Sequence, residues 1–260
     1  MEISIVIPVY NSSKILKSLL ENIFREISKF SKHFEVILVN DFSNDNSWNE
    51  IQKLKKKYNF IKGLNLKKNY GQHSAIFCGL KHAIGQKVVC MDDDMQHDPC
   101  HIFNMLDQLN KFDVCYVKYI KREHNIIKVL ISKLNNMISS YLMNKSMKIY
   151  TSSFKCFKKN VRDEIILNND NFIFLDYWIL KYTKNITSVN VTHNKRLEGK
   201  TNYGFRELLT LWSNMIFLIE EKKISLRYLI VLLIKYFFKI FFKSYIKYST
   251  SNKIEISEKI

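Results

Sequence analysis

The chain has 260 residues, of which 47% are hydrophobic, enough for one sizeable domain with an appendage. It carries 41 basic and 24 acidic residues, so its net charge of +17 predicts a polyanionic partner: nucleic acid, an anionic membrane or a phosphorylated small molecule. Five irregularly spaced cysteines argue against a secreted disulfide scaffold and favour a reducing compartment. The opening MEISIVIPVYN predicts a strand and not a signal peptide, because it lacks a basic start and its apolar run meets Pro8.

The first hundred residues predict strands that alternate with helices. Four apolar, β-branched runs predict strands, at 3–10, 34–41, 61–68 and 87–92. Apolar residues at helical spacing predict three helices between them, at 13–30, 47–58 and 74–84. This alternation predicts an α/β fold with a mostly parallel sheet and helices on both faces.

The second half of the chain has a different pattern. Residues 125–143 predict a long amphipathic helix, and residues 150–200 predict short strands mixed with a helix. From 205 to 248 the chain is strongly apolar but contains many lysines. We therefore predict three parts: an α/β domain at 1–215, a helical tail at 216–250 and a polar terminus at 251–260.

Three consecutive aspartates follow the fourth predicted strand. In an extended segment alternate side chains share a face, so Asp92 and Asp94 would point together while Asp93 points away. Two carboxylates at a strand end suit a hard cation such as Mg²⁺ or Mn²⁺, although an isolated D-D-D is about equally well explained as a solvated acidic turn. Ligands of parallel sheets bind beyond the carboxyl ends of the strands, so we expect Asp41 and the aspartates to share one crevice.

Two other kinds of site do not fit the spacing of the residues. His97 and His101, near Cys90 and Cys100, do not form the paired spacings of a zinc site. The GKT at 199–201 lacks the glycine that a P-loop needs five residues earlier. We therefore expect neither a zinc site nor a P-loop.

Five blocks of sequence carry a resemblance to a known family. In chain order they are SIVIPVYN, EVILVNDFSNDNSW, NYGQHSAIFCGLKHAIG, VVCMDDDMQHDP and HNKRLEGKTNY. They resemble family-2 glycosyltransferases of the GT-A (Rossmann-like) fold, over about residues 1–215. The resemblance is strongest to the branch that loads sugars onto polyprenyl phosphates, the dolichyl-phosphate mannose synthase-like and undecaprenyl-phosphate sugar transferase-like proteins. It implies a nucleotide-diphosphate sugar donor, expected to be uridine-linked, and a polyprenyl phosphate or lipid-linked glycan as acceptor.

The resemblance also implies residue roles. The nucleotide-sugar-binding residues would be Pro8, Val9, Tyr10, Asn11, Asp41, Asn69, Gly71, Gln72, Asp92, Asp93 and Gln96. Asp92 and Asp94 would hold the divalent cation, Mg²⁺ or Mn²⁺. The catalytic residues would be Asp94, Lys155, Arg196 and Lys200. A loop that closes over the donor and acceptor phosphates would include His193, Gly199, Asn202 and Tyr203.

Three positions depart from the family pattern. Asn40 replaces the first acid of a V-D-D block, a replacement frequent in this branch. In SSFKCFKK, which resembles the family's S-D-F-R-L-M-D-R, Ser153 replaces an aspartate and Lys155 replaces an arginine. Lys155 keeps the positive charge without the bidentate guanidinium. These departures leave open a second enzyme hypothesis, with the same donor but a sugar acceptor on a growing surface glycan.

The tail predicts a basic amphipathic helix. Lysines recur every four residues, at Lys235, Lys239, Lys243 and Lys247, and aromatic residues face them. Such a helix is expected to lie in the interface of an anionic membrane, which would place the enzyme at the cytoplasmic face as a peripheral or monotopic protein. A transmembrane span at 224–242 would place Lys235 and Lys239 in the bilayer, at a free-energy cost of about 2.5–3.5 kcal/mol each.

Two further alternatives concern partners. A core-packing helix in the tail would need a partner such as another subunit to cover its aromatic side, which leaves a homo-oligomer open. A basic nucleic-acid-binding module would account for the charge of +17. It would not account for the three aspartates, which repel phosphates without a metal, so we expect no nucleic acid partner.

Overall fold

The computed structural model describes residues 1–119, 136–137, 139–141, 143, 145–147, 149–167, 174–191 and 254–260. The first elements are β1 (Ile3–Val9), α1 (Leu16–Ile27), β2 (Phe34–Asn40), α2 (Ser47–Lys57), β3 (Ile61–Leu66), α3 (Gln72–His82) and β4 (Lys87–Cys90). There follow a 3₁₀ turn (Pro99–His101), α4 (Ile102–Gln108), β5 (Val114–Tyr119), β6 (Lys155–Lys158), α5 (Lys159–Ile166), α6 (Leu175–Tyr182), β7 (Ile186–Val191) and β8 (Ile256–Lys259). The predicted tail at 216–250 lies outside the described residues, as does most of the predicted helix at 125–143.

The described strands form one mixed sheet in the order β7-β5-β6-β4-β1-β2-β3-β8. The central strands β4, β1, β2 and β3 are parallel to one another, and β5 and β7 are also parallel. Strand β6 is antiparallel to both of its neighbours, and β8 runs antiparallel along β3. The predicted α/β fold with a mostly parallel sheet is confirmed.

Helices cover both faces of the sheet because alternate strand residues point in opposite directions. Ile5 and Ile7 of β1 pack in one apolar cluster, which also contains buried residues of α1, α2 and α4. Val6, between them, packs in the opposite cluster with buried residues of α3, α5 and α6. Strands buried on both faces explain why the sequence has continuous apolar runs in place of alternation.

Strand β8 was not anticipated by the sequence analysis, which assigned residues 251–260 to a polar terminus. Its sequence, ISEK, is short and half charged, and it is a strand because it pairs with the edge of β3. Ile260 continues the pairing, with its N–H and carbonyl each bonded to Gly63 at 2.9 Å. A Cβ on Gly63 would lie 2.8 Å from the Ile260 side chain, so the glycine leaves room for the C-terminal residue.

Gly85 lies where the loop before β4 crosses the start of β1. Its N–H donates to the Ser4 hydroxyl at 2.8 Å, and that hydroxyl donates to the buried Glu35 carboxylate at 2.6 Å. A Cβ on Gly85 would lie 2.5 Å from the Ser4 backbone nitrogen. Backbone atoms of a central strand cannot move aside as a flexible side chain can.

We therefore expect Gly85→Ala to lower the free energy of unfolding by about 1–3 kcal/mol, the range typical of overpacked cores. Chemical denaturation measures this change. Gln86→Ala, at the exposed neighbouring position, is the matched control and should stay within about 0.5 kcal/mol of wild type. Equal stability of the two variants would contradict the close approach.

A buried polar cluster lies between α3, β6 and α6. The Lys155 ammonium forms an ion pair with Asp176, whose carboxylate also accepts a hydrogen bond from the Tyr116 hydroxyl at 2.8 Å. The His73 ring meets Phe174 edge-on, with centroids 4.8 Å apart. Burial lowers the pKa of His73 to about 4, and the nearby Lys155 also lowers it, against the opposing effects of Asp176 and Asp92.

His73 should therefore make the fold sensitive to acid. Its folded pKa of about 4 lies below the unfolded value of about 6.5, so its stabilisation is complete above pH 6.5 and is lost as the pH falls towards 4. Linkage gives a loss of about 2 kcal/mol between pH 7 and pH 5. Chemical denaturation of wild type and His73→Phe at pH 7 and pH 5 measures this contribution. In the variant, the free energy of unfolding should fall by about 2 kcal/mol less between the two pH values than it does in wild type. An unchanged loss in the variant would show that His73 does not titrate as described.

Candidate active site

The loops that follow the parallel strands meet beyond the carboxyl ends of those strands. After β1, the Tyr10 N–H donates to the Asp93 carboxylate at 3.0 Å, and the Ser12 hydroxyl donates to the same oxygen. Asn11 joins this loop to the one after β2: its N–H donates to the Ser43 hydroxyl at 3.0 Å, and its side-chain oxygen accepts from the Asn44 N–H at 2.8 Å. Hydrogen bonds thus join the loops after β1, β2 and β4 at the edge of the sheet where we predict the crevice.

The same loops contain the left-handed backbone positions of the described residues. Asn11 follows β1, Phe42 follows β2, Gly71 follows β3 and Met95 follows β4, with φ values of 56°, 58°, 86° and 62°. Glycine and asparagine adopt this conformation readily, whereas phenylalanine and methionine do so at a cost. Such strain concentrates at functional sites, where the surrounding contacts hold it in place.

Asp41 lies at the end of β2 and is held by the loop after β3. Its two carboxylate oxygens accept from the Tyr70 N–H at 2.7 Å and from the Gly71 N–H at 2.8 Å. The Asn69 side-chain amide donates to the Asp41 carbonyl at 3.2 Å. Burial raises the pKa of Asp41, and the two backbone N–H groups act against that rise. The structure therefore brings Asp41, Asn69 and Gly71 together.

The three aspartates do not continue an extended strand. Strand β4 ends at Cys90, two residues before the predicted end, and the left-handed Met95 helps to turn the chain. The extended segment on which the alternation argument relies therefore ends before the three aspartates. Hydrogen bonds orient their side chains: Asp92 accepts from the Gln72 amide at 2.5 Å, Asp93 turns to the β1 loop, and Asp94 accepts from the Gln96 N–H at 3.1 Å.

Asp93 has a structural position that the resemblance did not specify. Burial raises its pKa to about 6, against the hydrogen bonds from Ser12 and Tyr10, and the charges of Asp92 and Asp94 raise it further. The cluster therefore concentrates negative charge at a partly enclosed site. A cation bound beside it would relieve this repulsion.

Asp92 and Asp94 fit a divalent cation in the chemistry of their oxygen donors. Mg²⁺ is usually held by one or two carboxylates and completed by water and substrate phosphates, so two aspartates suffice. No group of three or more potential ligands from His, Cys, Asp and Glu occurs in the described parts of the chain. The residues thus suit a cation that is held jointly with a bound diphosphate, and not one enclosed by the protein alone.

Ser153 and His97 orient Asp92, and sequence reasoning missed their part in the site. The Ser153 hydroxyl donates to Asp92 at 2.7 Å and lies 3.4 Å from Nε2 of His97, while Nδ1 of His97 accepts from the Asp92 N–H at 3.0 Å. The His97 ring stacks on Phe154 with centroids 4.9 Å apart. The hydroxyl of Ser153 therefore supports a carboxylate where the family pattern supplies another acid.

Lys155 does not reach the crevice as a solvent-accessible cation. It is 1% exposed and is committed to the ion pair with Asp176. This placement argues against direct contact between its ammonium and a donor phosphate, because the charge is already paired and shielded. Its position on β6, in register with Cys90 at the end of β4, instead places it beneath the aspartate loop.

The remaining predicted residues divide into two groups. Pro8 and Val9 end β1, where β4 pairs only as far as Val6 and Pro8 costs no strand hydrogen bond on that side. The second group forms the predicted phosphate loop, which lies outside the described residues. Its members are His193, Arg196, Gly199, Lys200, Asn202 and Tyr203. Phe42, which follows Asp41 in the chain, is left-handed and 50% exposed, and no sequence pattern singles it out.

Two known sugar transferases are similar to most of this chain. An undecaprenyl-phosphate 4-deoxy-4-formamido-L-arabinose transferase of Shewanella sediminis is 27% identical over 216 residues, which cover 82% of this chain and 65% of that protein. The transferase of the same name from Pectobacterium atrosepticum is 28% identical, over 82% of this chain and 66% of its own length. The chain thus spans slightly less than two thirds of these relatives.

Solved structures share the fold at low sequence identity. TarS 1–349 of S. aureus, in complex with UDP-GlcNAc, has a TM-score of 0.58 at 18% identity, covering 94% of this chain and 74% of that one. Glucosyl-3-phosphoglycerate synthase from Mycobacterium tuberculosis, in complex with Mn²⁺, UDP and glucosyl-3-phosphoglycerate, has a TM-score of 0.60 at 15% identity, covering 83% and 79%. The pattern of glycosyl transferase family 2 matches residues 4–166. The chain belongs to glycosyl transferase family 2.

Proposed function

We propose that this protein is a metal-dependent, inverting glycosyltransferase that moves a sugar from a nucleoside-diphosphate sugar to a polyprenyl phosphate at the cytoplasmic membrane face. The observation that carries the proposal is that three consecutive residues link the two acidic sites: the N–H groups of Tyr70 and Gly71 donate to Asp41, and the Gln72 amide donates to Asp92. The relatives named as undecaprenyl-phosphate transferases support the acceptor, and the neighbours with UDP or UDP-GlcNAc support a uridine-linked donor.

The donor's base would bind beside Asp41. Each oxygen of this carboxylate accepts one backbone N–H, from Tyr70 or Gly71, and retains a lone pair for an N–H of the base. Tyr10, 44% exposed after β1, and Phe42, 50% exposed after β2, offer aromatic surface in the loops at the same edge of the sheet. The carboxylate and these rings would together bind a flat ring that carries a hydrogen-bond donor.

The donor's diphosphate would bind next to Asp92 and Asp94. When bound, a divalent cation supplies the positive charge that two carboxylates and a diphosphate need in order to lie together. Asp92 is ready to serve as a ligand because Gln72 and Ser153 fix its side chain. Arg196 and Lys200, in the predicted phosphate loop, would add charge that stabilises the departing diphosphate.

The transfer would need little proton chemistry from the protein. The bond between the anomeric carbon and the donor phosphate breaks, and its electron pair leaves with the nucleoside diphosphate. An oxygen of the acceptor phosphate forms the new bond from the opposite face, so the anomeric centre inverts. Because that oxygen is already anionic, the serine at position 153 is compatible with the reaction, whereas a sugar hydroxyl would need a base.

Transfer to lipid tests this function directly. Membranes that contain the full chain would be incubated with radiolabelled nucleotide sugars, with undecaprenyl phosphate added, and extracted with organic solvent. We expect label in the lipid fraction with Mg²⁺ or Mn²⁺, and a loss of at least about 100-fold in excess chelator or in Asp94→Asn. Gln86→Ala is the control for expression and folding.

Two results of the same assay would contradict the proposal. Full turnover in excess chelator would overturn the metal assignment. Label that enters a water-soluble glycan, with none in lipid, would favour the sugar-acceptor alternative.

Membrane association through the tail is part of the proposal. Within the parts of the chain that the structure describes, no helix has the length and apolar character needed to cross a membrane. Strands β7 and β8, which precede and follow residues 192–253 in the chain, belong to one sheet. A single crossing between them would separate two strands of that sheet, which supports an interfacial tail over the single-span alternative.

The tail lysines should control binding to anionic vesicles. Each lysine near the surface contributes about 1 kcal/mol of attraction, so replacing Lys235, Lys239, Lys243 and Lys247 with glutamine should release the protein in flotation assays. High salt should partly reproduce this release. Phe237→Ser with Phe241→Ser should weaken binding at any salt, because that contribution is apolar burial. If wild-type protein stays bound to vesicles at high salt and stays in the membrane pellet after alkaline carbonate extraction, the interfacial arrangement is contradicted.

A further inference from the structure

The C-terminal residues 254–260 contact the loop that holds Asp41. The Tyr70 hydroxyl accepts from the Glu255 N–H at 3.1 Å, while the Tyr70 N–H donates to Asp41 at 2.7 Å. One residue thus touches the C-terminal segment with its side chain and the candidate base-binding carboxylate with its backbone. The Tyr70 ring and the side chains of Ile254 and Ile256 all pack against the same apolar cluster.

A second path runs from β8 through β3 to the loop after β1. The Ser257 hydroxyl donates to the Asn65 carbonyl at 3.0 Å, and the Asn65 side chain accepts from the Asn40 amide at 2.7 Å. Asn40 in turn accepts from the Ser43 hydroxyl at 2.5 Å, and Ser43 accepts from the Asn11 N–H. Asn40 therefore links strand β3 to the loops that follow β1 and β2.

The contacts of β8 extend to the helix beside the crevice. Glu258 accepts from the Trp48 indole N–H at 2.8 Å and from the Gln52 amide at 3.0 Å, both on α2. At the start of α2, the Ser47 hydroxyl accepts from the Ser12 N–H at 2.9 Å. Residues 254–260 therefore contact α2, whose first residue binds the loop after β1.

The geometry points to a positioning role for residues 254–260: docked on β3, they hold the Asn69–Gly71 loop, through Tyr70, in the conformation whose backbone N–H groups bind Asp41. The role rests on the proposed function for the identity of the ligand, a nucleoside diphosphate. Without this support, a smaller fraction of molecules would have the loop in its binding conformation. Donor affinity would fall in proportion to that fraction. The effect falls on donor binding because none of these residues touches the aspartate cluster in a described hydrogen bond.

The test compares variants of the full chain that undock β8 by different means. Ile256→Asp places a charge on the strand residue that pairs with Leu66 and packs against the same apolar cluster as Tyr70. Tyr70→Phe removes only the hydroxyl that accepts from the Glu255 N–H. Lys259→Gln, an exposed change on the same strand, is the matched control. Calorimetry with UDP and Mn²⁺ measures affinity, and hydrogen exchange measures protection of the Tyr70 and Gly71 amides.

We expect Ile256→Asp to weaken UDP binding about tenfold and to accelerate exchange of both amides, while kcat at saturating donor stays near wild type. Tyr70→Phe should weaken binding about two- to tenfold, the range of one lost hydrogen bond. Unchanged UDP affinity in Ile256→Asp, with faster exchange in β8 itself, would overturn the role. If Ile256→Asp fails to fold, wild-type affinity in Tyr70→Phe overturns it.

Failure of the proposed function gives a different result. If wild-type protein binds neither UDP nor any other nucleoside diphosphate, the proposed function is refuted. Hydrogen exchange still tests whether docking of β8 holds the Asn69–Gly71 loop. Faster exchange at Tyr70 and Gly71 upon undocking of β8 would support the positioning role in that case, and unchanged exchange would overturn it.

Discussion

The site depends on buried carboxylates that bind the backbone of neighbouring loops. Asp93 holds the loop after β1, and Asp41 holds the loop after β3, so two acids from different strands fix the walls of one crevice. Parallel strands bring their carboxyl ends to one edge of the sheet, but this alone does not shape the loops. Asp41 accepts from two backbone N–H groups, and Asp93 accepts from one N–H and one hydroxyl, so the loop conformation and the ionisation of each acid depend on each other. Gly71 allows this arrangement because its backbone is left-handed.

Charge is distributed unevenly in this protein. The chain carries a net charge of +17, yet the crevice concentrates Asp41 and three consecutive aspartates. Burial raises the pKa of Asp41 and of Asp93, so the site holds negative charge at a cost. A cation shared with an anionic donor would offset that cost, and the basic surface elsewhere would attract phosphorylated partners.

The sequence predicts local structure well where one residue pattern has one explanation. Long apolar strands and amphipathic helices in the first hundred residues fall close to their predicted bounds. Strand β8 could not be predicted, because ISEK has little strand preference and becomes a strand only by pairing with β3. Likewise, motif matching named Asp41 and Asp93 but could not show that Tyr70 holds one and Ser12 the other. The buried pair of Lys155 and Asp176 joins residues 21 positions apart, which no local pattern links.

We propose that the crevice binds a nucleoside diphosphate through Asp41 and, with a cation, through Asp92 and Asp94. Calorimetric titration of UDP into wild type and Asp41→Ala, each with Mn²⁺ and with excess chelator, tests this binding. We expect cation-dependent binding to wild type and affinity at least about tenfold weaker for the variant, since a buried hydrogen bond to the base is lost. Equal affinity in both proteins, or binding that is indifferent to chelator, would contradict it.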